Sequence, residues 1–427
     1  MVRISAITGF ARLFFLQRLK IVIFFHFLPA IFSGQMKPGQ FLKFMKRLLF
    51  FLAKLRHNKF VRIGERTRID LYVPGFPGPA FYTACQKFSV MHQKLPCATA
   101  LISVTSACRY DCPHCYQRFD KGKDMPIETL VHAVHQLQDL GVAFFNIEGG
   151  DPFLVYERLR RVCAAIDGRS EIWINSTGDG MTRDRLQELK DLNLSAIMFS
   201  LHAADPATLN RFMHSDSAWD TMIQGIDLCH RTDIPVAFNT CITKEDFFNG
   251  EFEKIMEKAK ELNGCLLQLI KPKPAGGRMD KGVETITPGD MAAIRQKIHT
   301  YNHGRNFRSY PPISAQIIEE SPEVFGCTAG GTDRFYINAK GDMQPCEFLN
   351  LSFGNIVQED FSTVYGRMRA CFEKPGRMWL CEAYASAIRD LAGKGPVLPL
   401  DPEKSKIIYQ TWDRGKPTEL YKMVEEK

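Results

Sequence analysis

The stretch ATALISVTSACRYDCPHCYQ, Ala98–Gln117, runs from a short apolar, β-rich segment straight into three cysteines, Cys108, Cys112 and Cys115. A run of this length and composition reads as a buried strand. Its sequel places three soft metal ligands at the strand's C-terminal end, where parallel α/β folds carry their reactive groups.

Working outward, the same alternation repeats down the chain. PIETLVHAVHQLQDLG spaces Leu130, Val131, Val134 and Leu137 as one helical face, with Pro126 at its first turn and Gly141 at its stop. VAFFNI follows as a strand, then a helix from about Leu154 to Ile166. Further strands are predicted at Glu171–Thr177, Ser195–Ala203, Pro235–Thr243 and Cys265–Pro272, with amphipathic helical patterns between them. Six β-then-α units therefore begin at Ala98, which predicts a parallel sheet with its helices packed outside. The polar punctuation falls at the strand ends. After the cysteines come EGGDP (Glu148–Pro152), NSTGDG (Asn175–Gly180), SLHA (Ser200–Ala203), NTCIT and KPKPAGGR (Lys271–Arg278). All of it lies on one predicted rim.

The 427 residues, 45% apolar and 24% charged, leave room for one large α/β domain with smaller additions. The formal charge of +8 is uneven: residues 1–64 hold twelve Lys or Arg and no Asp or Glu, so the rest is mildly acidic. Within that segment IVIFFHFLPAIF (Ile21–Phe32) and FLKFMKRLLFFLAKLRHNKF (Phe41–Phe60) are apolar. Neither holds the ~18 uninterrupted apolar residues of a spanning helix. A basic, Phe-rich amphipathic segment is predicted to lie on an anionic membrane surface. Helices docked on the main domain are the alternative. A secretory signal is disfavoured, because no small-residue cleavage pattern follows. Positive charge that interleaves with aliphatic residues and is absent from the body argues against nucleic acid.

Of thirteen cysteines, Cys85, Cys97, Cys163, Cys229, Cys241 and Cys265 stand singly and read mostly as buried small hydrophobes. The odd total and the chain's size argue against a disulfide framework. The trio at 108–115 suits an iron–sulfur cluster or zinc. A closed zinc site wants a fourth ligand, and His114, wedged between two of the cysteines, is a poor one. A cubane on three thiolates leaves one iron open to a substrate or cofactor.

Cys108-x-x-x-Cys112-x-x-Cys115 after a first strand resembles the signature of the radical S-adenosylmethionine (SAM) superfamily, across about Ala98 to Gly304. The resemblance implies a partial (β/α)6 TIM-like barrel and a [4Fe–4S] cluster whose open iron is chelated by SAM. It also implies reductive cleavage of SAM to a 5′-deoxyadenosyl radical that abstracts hydrogen from a substrate. Gly149, Gly150 and Asp151, with Pro152, resemble the family's Gly-Gly-Glu-Pro element, with Asp in place of Glu. Asn175 and Ser200 match positions that meet ribose or the methionine carboxylate, and Arg211 is the candidate cation for that carboxylate.

GCTAGGTDRFYINAKGDMQPCEFLNLSFGNI, Gly326–Ile356, resembles the opening of the SPASM and twitch extensions of that superfamily. YINAKGDMQPC reads as a hairpin turning near Lys340-Gly341, which would bring Cys327 and Cys346 together. The downstream SPASM cysteine run is missing. A single auxiliary [4Fe–4S] cluster on Cys327, Cys346, Cys371 and Cys381 is expected, with the last two as core residues the alternative.

The segments expected are a basic amphipathic N-terminal segment (1–64), a linker or cover (65–97), the barrel (98–312), a SPASM/twitch-like extension (313–390) and a surface tail (391–427). The expected protein is a cytoplasmic enzyme, peripheral at the inner face of the membrane, supplied with electrons by a flavodoxin or ferredoxin. Its substrate would be a lipid or membrane-associated molecule. A peptide-modifying SPASM-type maturase is the alternative, and a non-catalytic iron–sulfur redox protein the contrasting class. The sequence singles out no residue for catalysis on the substrate.

Overall fold

A computed structural model of the chain describes residues 2–89 and 97–426. Residues 90–96, near the end of the expected linker, lie outside the described residues. The N-terminal segment opens with an antiparallel sheet of β1 (Ile4–Ile7), β2 (Phe60–Ile63) and β3 (Arg66–Arg68). Between β1 and β2 run two long helices, Gly9–Phe27 and Pro38–Lys54. The first buries Phe15, Leu19, Ile23 and Phe27, a four-residue repeat that makes one stripe. The second buries Phe41, Phe44, Met45, Leu48 and Leu52. These stripes form a separate apolar core with Phe76, Phe81 and Phe88, joined from the far end of the chain by Leu420 and Tyr421.

This layer is docked on the barrel. The Arg12 guanidinium sits 4.2 Å over the Phe60 ring and hydrogen-bonds His303 Nδ1 at 3.2 Å. Lys59 Nζ donates to the carbonyls of Phe307 and Tyr310. Its other face is bare, with Phe10, Leu13, Phe14, Ile21, Phe25 and Phe32 all exposed. The sequence shows no uninterrupted apolar run of spanning length, yet the helical stretch Gly9–Phe32 is long and apolar enough to cross a bilayer. Arg12, Arg18 and Lys20 interrupt the run without lowering its average enough to matter. Only 22% of its most apolar window is buried, which separates it from an ordinary core helix.

The main sheet contains β4 (Thr99–Ser103), β5 (Phe144–Glu148), β6 (Glu171–Ser176), β7 (Leu194–Ser200), β8 (Val236–Cys241) and β9 (Leu267–Ile270), each parallel to the next. β10 (Ile313–Ala315) adds in parallel beyond β9. On the other side β11 (Arg334–Ile337) pairs in parallel with β4, and β12 (Met343–Gln344) pairs antiparallel with β11. The order β10-β9-β8-β7-β6-β5-β4-β11-β12 does not close. It is a partial TIM-like barrel with a seam between β10 and the β4/β11 edge.

Helices Ile127–Asp139, Tyr156–Ala165, Arg183–Asp191, Ala218–Arg231 and Glu251–Glu261 bury their apolar faces against the sheet. Inside the barrel, Leu71, Phe144, Trp173, Met198, Ala237 and Leu266 fill the lower end. Leu71 comes from the segment read as a linker or cover, and it packs with these strand residues as the barrel's floor. Arg68 pins that floor, donating to the carbonyls of Leu71 (2.8 Å) and Val73 (2.9 Å) and pairing with buried Glu171. The tail is likewise no surface extension: Leu398 and Leu400 are buried. The Leu398 N–H donates to the Phe119 carbonyl and the Leu400 N–H to that of Asn350, each at 2.9 Å.

Candidate active site

The cysteine loop leaves β4 and is clamped from two sides by backbone. The Gly150 N–H donates to the Thr105 carbonyl and the Asp151 N–H to that of Ala107, both at 2.8 Å. A Cβ on Gly150 would stand 1.9 Å from the Ala107 oxygen, so glycine is required for the approach. On the opposite side the loop after β9 closes in. The Gly277 N–H donates to the Cys115 carbonyl at 2.9 Å, and a Cβ on Gly276 would stand 2.4 Å from that oxygen.

The clamped loop forms one wall of a cavity of about 1180 Å³, part of it open to solvent. Cys108, Cys112 and Cys115 line it, together with Gly149, Gly150, Asn175 and Ser200. Seven of the predicted site residues therefore share one cavity, whereas Asp151 and Arg211 are not on its wall.

Asp151 is fully buried and its carboxylate is consumed inside the protein. It accepts the N–H groups of Phe153 and Thr177 and the hydroxyls of Ser176 and Thr177, tying β5 to β6. Arg211 is exposed, donates to Thr208 within its own helix, and is not part of the cavity wall. Its position near the end of helix Pro206–Met213 turns it to solvent, while Met213 faces the cavity. The wall's cations are Lys273 and Arg278.

Several wall residues were not singled out from the sequence, although Glu148 and Asn239 fall in the rim stretches EGGDP and NTCIT. Asn146 and Glu148 from β5, Asn239 from β8 and Gln268 from β9 face inward. They are polar letters within otherwise apolar strands, and that is the available signal. Asn175 Nδ2 donates to Glu148 Oε2 at 3.1 Å, while Glu148 Oε1 and Asn175 Oδ1 are buried and unpartnered. Burial, then the charge of Glu347, pushes the Glu148 carboxyl up to about 8. A side lobe beyond the strand ends is lined by His114, His202 and Phe212, whose rings pack on one another. Burial, then Arg278, pushes His114 down to about 4.

Burial and the neighbouring thiols push Cys112 up to about 12, and burial pushes Cys115 up to about 11. Among the described residues no three metal-ligating side chains converge tightly enough for a single ion. Three soft donors on a wide cavity, set in a backbone cradle, fit a cluster better than one ion.

Residues 102–260 match the Radical SAM superfamily. The chain carries a radical SAM domain. An AdoMet-dependent heme synthase of Methanosarcina barkeri is 22% identical over 309 residues, covering 65% of this chain and 86% of that protein. A PqqA peptide cyclase of Rhizobium meliloti is 20% identical over 307 residues, covering 69% of this chain and 80% of its own length. Streptococcus suis SuiB, in a crystal structure bound to S-adenosylmethionine, aligns with a TM-score of 0.55 at 16% identity. That alignment covers 72% of this chain and 79% of SuiB. A radical SAM domain implies a [4Fe–4S] cluster and SAM, and the unpartnered Glu148 and Asn175 oxygens beside the cysteine wall leave polar capacity for such an occupant.

Outside the radical SAM domain, a second cavity of about 320 Å³, part of it open to solvent, is lined by three further cysteines. The hairpin β11–β12 turns at Gly341 (φ 96°) and brings Cys346 to the same wall as Cys327, with Cys381 joining them. Cys371, the fourth expected ligand, is not on that wall. It ends helix Phe361–Cys371, packs half-buried against the core, and gives its carbonyl to Arg414. Lys273 and Phe348 line both cavities, so the partition between them is one side chain thick. Lys273 and Lys271 both pair with Glu382 at 3.0 Å, next to Cys381.

Proposed function

We propose that Cys108, Cys112 and Cys115 hold a [4Fe–4S] cluster with an open iron, and that the cavity beside them binds SAM and a substrate. When bound, the cluster supplies the electron that cleaves SAM to methionine and a 5′-deoxyadenosyl radical able to take hydrogen from a C–H bond. The observation that carries this reading is the meeting of the three thiols with Gly149, Gly150, Asn175 and Ser200 on one wall.

The chain's own work is orientation and exclusion of water. The backbone of Gly149 and Gly150 faces the SAM amino-acid group, and Asn175 and Ser200 supply polar contacts. Arg278 takes over from Arg211 as the cation on the wall. The aromatic side lobe of His114, His202 and Phe212, neutral because it is buried, suits the nucleoside. Asn146, Asn239 and Gln268 hold the polar part of the substrate, with Glu148 as a carboxylic acid that can donate a hydrogen bond near neutral pH.

Cys327, Cys346 and Cys381 hold an auxiliary cluster, with a position left for substrate or Lys273-side contact. A one-electron carrier such as flavodoxin or ferredoxin supplies the reductant. The basic hairpin with its bare phenylalanines supports a lipid or membrane-associated substrate. A peptide substrate is the second reading, supported by the likeness to the PqqA peptide cyclase.

The test is anaerobic reconstitution with iron and sulfide, with iron per chain and 5′-deoxyadenosine measured after dithionite reduction. About eight irons, falling to about four with all deoxyadenosine lost in the Cys108→Ala/Cys112→Ala/Cys115→Ala variant, is the expected result. Iron bound with no deoxyadenosine, even with membrane extract added, would sink the enzymatic reading.

A further inference from the structure

The N-terminal layer encloses a cavity distinct from the two already described. About 900 Å³ of non-atom space lies within its lining, part of it open solvent. Its roof is apolar: Leu48, Phe51, Leu52 and Leu55 from and just beyond the second long helix, with Phe81 and Phe88. Its inner wall is the barrel's seam, where Ser314 and Gln316 at β10 face Ala98 and Arg334 at the β4/β11 edge. Tyr72 and Gln268 line both this chamber and the catalytic cavity. Gln268 Nε2 donates to the Tyr72 hydroxyl at 3.0 Å, so one hydrogen-bonded pair separates the two spaces.

The charges in the wall are answered locally. Lys87 pairs with Asp333 and Arg334 with Glu320. Asp70 accepts from Asn58 Nδ2 at 2.7 Å and from the Tyr72 N–H at 3.0 Å. Glu319 accepts the Ser314 hydroxyl at 3.0 Å. Burial raises both of these carboxyls above the ordinary range, which favours their neutral form. What remains facing the space from the roof is hydrocarbon. A peptide inserted there would leave its backbone N–H and C=O groups facing apolar side chains, at a cost a hydrocarbon chain does not incur. The same helix carries exposed Leu42, Lys43 and Lys46, and the first helix carries the bare phenylalanines.

We propose that this chamber holds the hydrocarbon chain of a membrane amphiphile whose polar end reaches the catalytic cavity past Tyr72 and Gln268. The inference rests on the membrane-associated reading of the substrate and gives it a binding site. The basic hairpin meets the lipid surface, the roof helix receives the chain, and the amide-lined barrel receives the polar end.

The test uses the full chain, anaerobically reconstituted, titrated with cis-parinaric acid and followed by fluorescence. Saturable binding, displaced by oleate and not by butyrate, is expected. Ala84 lines the chamber and lies outside the catalytic wall. Ala84→Trp, which fills the space, is expected to weaken parinarate binding at least tenfold while SAM binding by equilibrium dialysis stays unchanged. Ala84→Leu serves if the larger side chain lowers the melting temperature. Absence of saturable binding, equal affinity in a folded filled variant, or better displacement by an apolar heptapeptide than by oleate would overturn the proposal. SAM binding is read in the same samples, so loss of the catalytic reading is seen separately from loss of the chain site.

Discussion

Asp151 stands where the resemblance puts a glutamate against the cofactor, and the structure gives it another task. Four donors converge on its buried carboxylate. Asp151→Asn turns an NH2 group toward some of those donors, and an unsatisfied buried group costs ~1–3 kcal/mol. A melting temperature lowered by several degrees is expected in thermal denaturation. An unchanged melt with weakened SAM binding would return Asp151 to the cofactor. Glu148 makes a pH prediction. Its carboxyl titrates near 8 when folded, above its ordinary value, so across that window the folded state binds more protons than the unfolded one. Stability from this group is therefore full below the ordinary glutamate pKa and declines as pH rises toward 8. Glu148→Gln is expected to flatten that decline in urea denaturation of the cluster-free protein at several pH values. Asn175 and Ser200 were legible because they end strands. Arg211 misled because sequence distance from Ser200 says nothing of which side of a helix turn it occupies.

Among the elements, the two cysteine groups differ in how much their sequence shows. Cys108, Cys112 and Cys115 lie in one loop, so spacing alone brings them together. Cys327, Cys346 and Cys381 are gathered by a hairpin and a distant short helix, Leu380–Ala383. Only the hairpin half of that arrangement has a local signal, which is why Cys371 and Cys381 looked equivalent. Cys381→Ala is expected to remove iron from the second site, whereas Cys371→Ala keeps it, as read by iron analysis and electron paramagnetic resonance. Equal loss in both would put Cys371 back among the ligands. The first long helix is legible by its period on the buried side and by its bare phenylalanines on the other. Phe14→Glu adds a charge to that bare face without touching the buried stripe. Co-sedimentation with phosphatidylglycerol vesicles is expected to fall at least tenfold, and wild-type binding to weaken with salt. Equal sedimentation of both proteins would leave the face without a membrane role.

Across the whole molecule, the two ends of the chain meet. Leu420 and Tyr421 lie in the same apolar core as Phe44, Leu48 and Leu52. No local pattern announces this, because burial of a terminal helix depends on a partner some 370 residues away in the sequence. Truncation after Lys416 uncovers the roof helix, and trypsin is expected to cleave near Lys43 and Lys46 well before it cuts the barrel. Cleavage at the same rate as in the full chain would show that the N-terminal layer stands without the tail. The barrel itself was legible from alternation alone. Its flank was not, since β11 carries the same apolar lettering whether it pairs with β4 or only with β12.

That flank sets an order of assembly during synthesis. β4, whose end carries the cysteine loop, is paired on one side by β5 and on the other by β11. The residue after the loop's own turn, Phe119, waits for Leu398. On the ribosome the loop-bearing strand is an open edge until residue 337 has emerged, and the Phe119–Leu398 hydrogen bond forms only after residue 398 has done so. A cluster held by this loop would therefore meet its finished cradle only once the second cysteine group, Cys327, Cys346 and Cys381, has also been made.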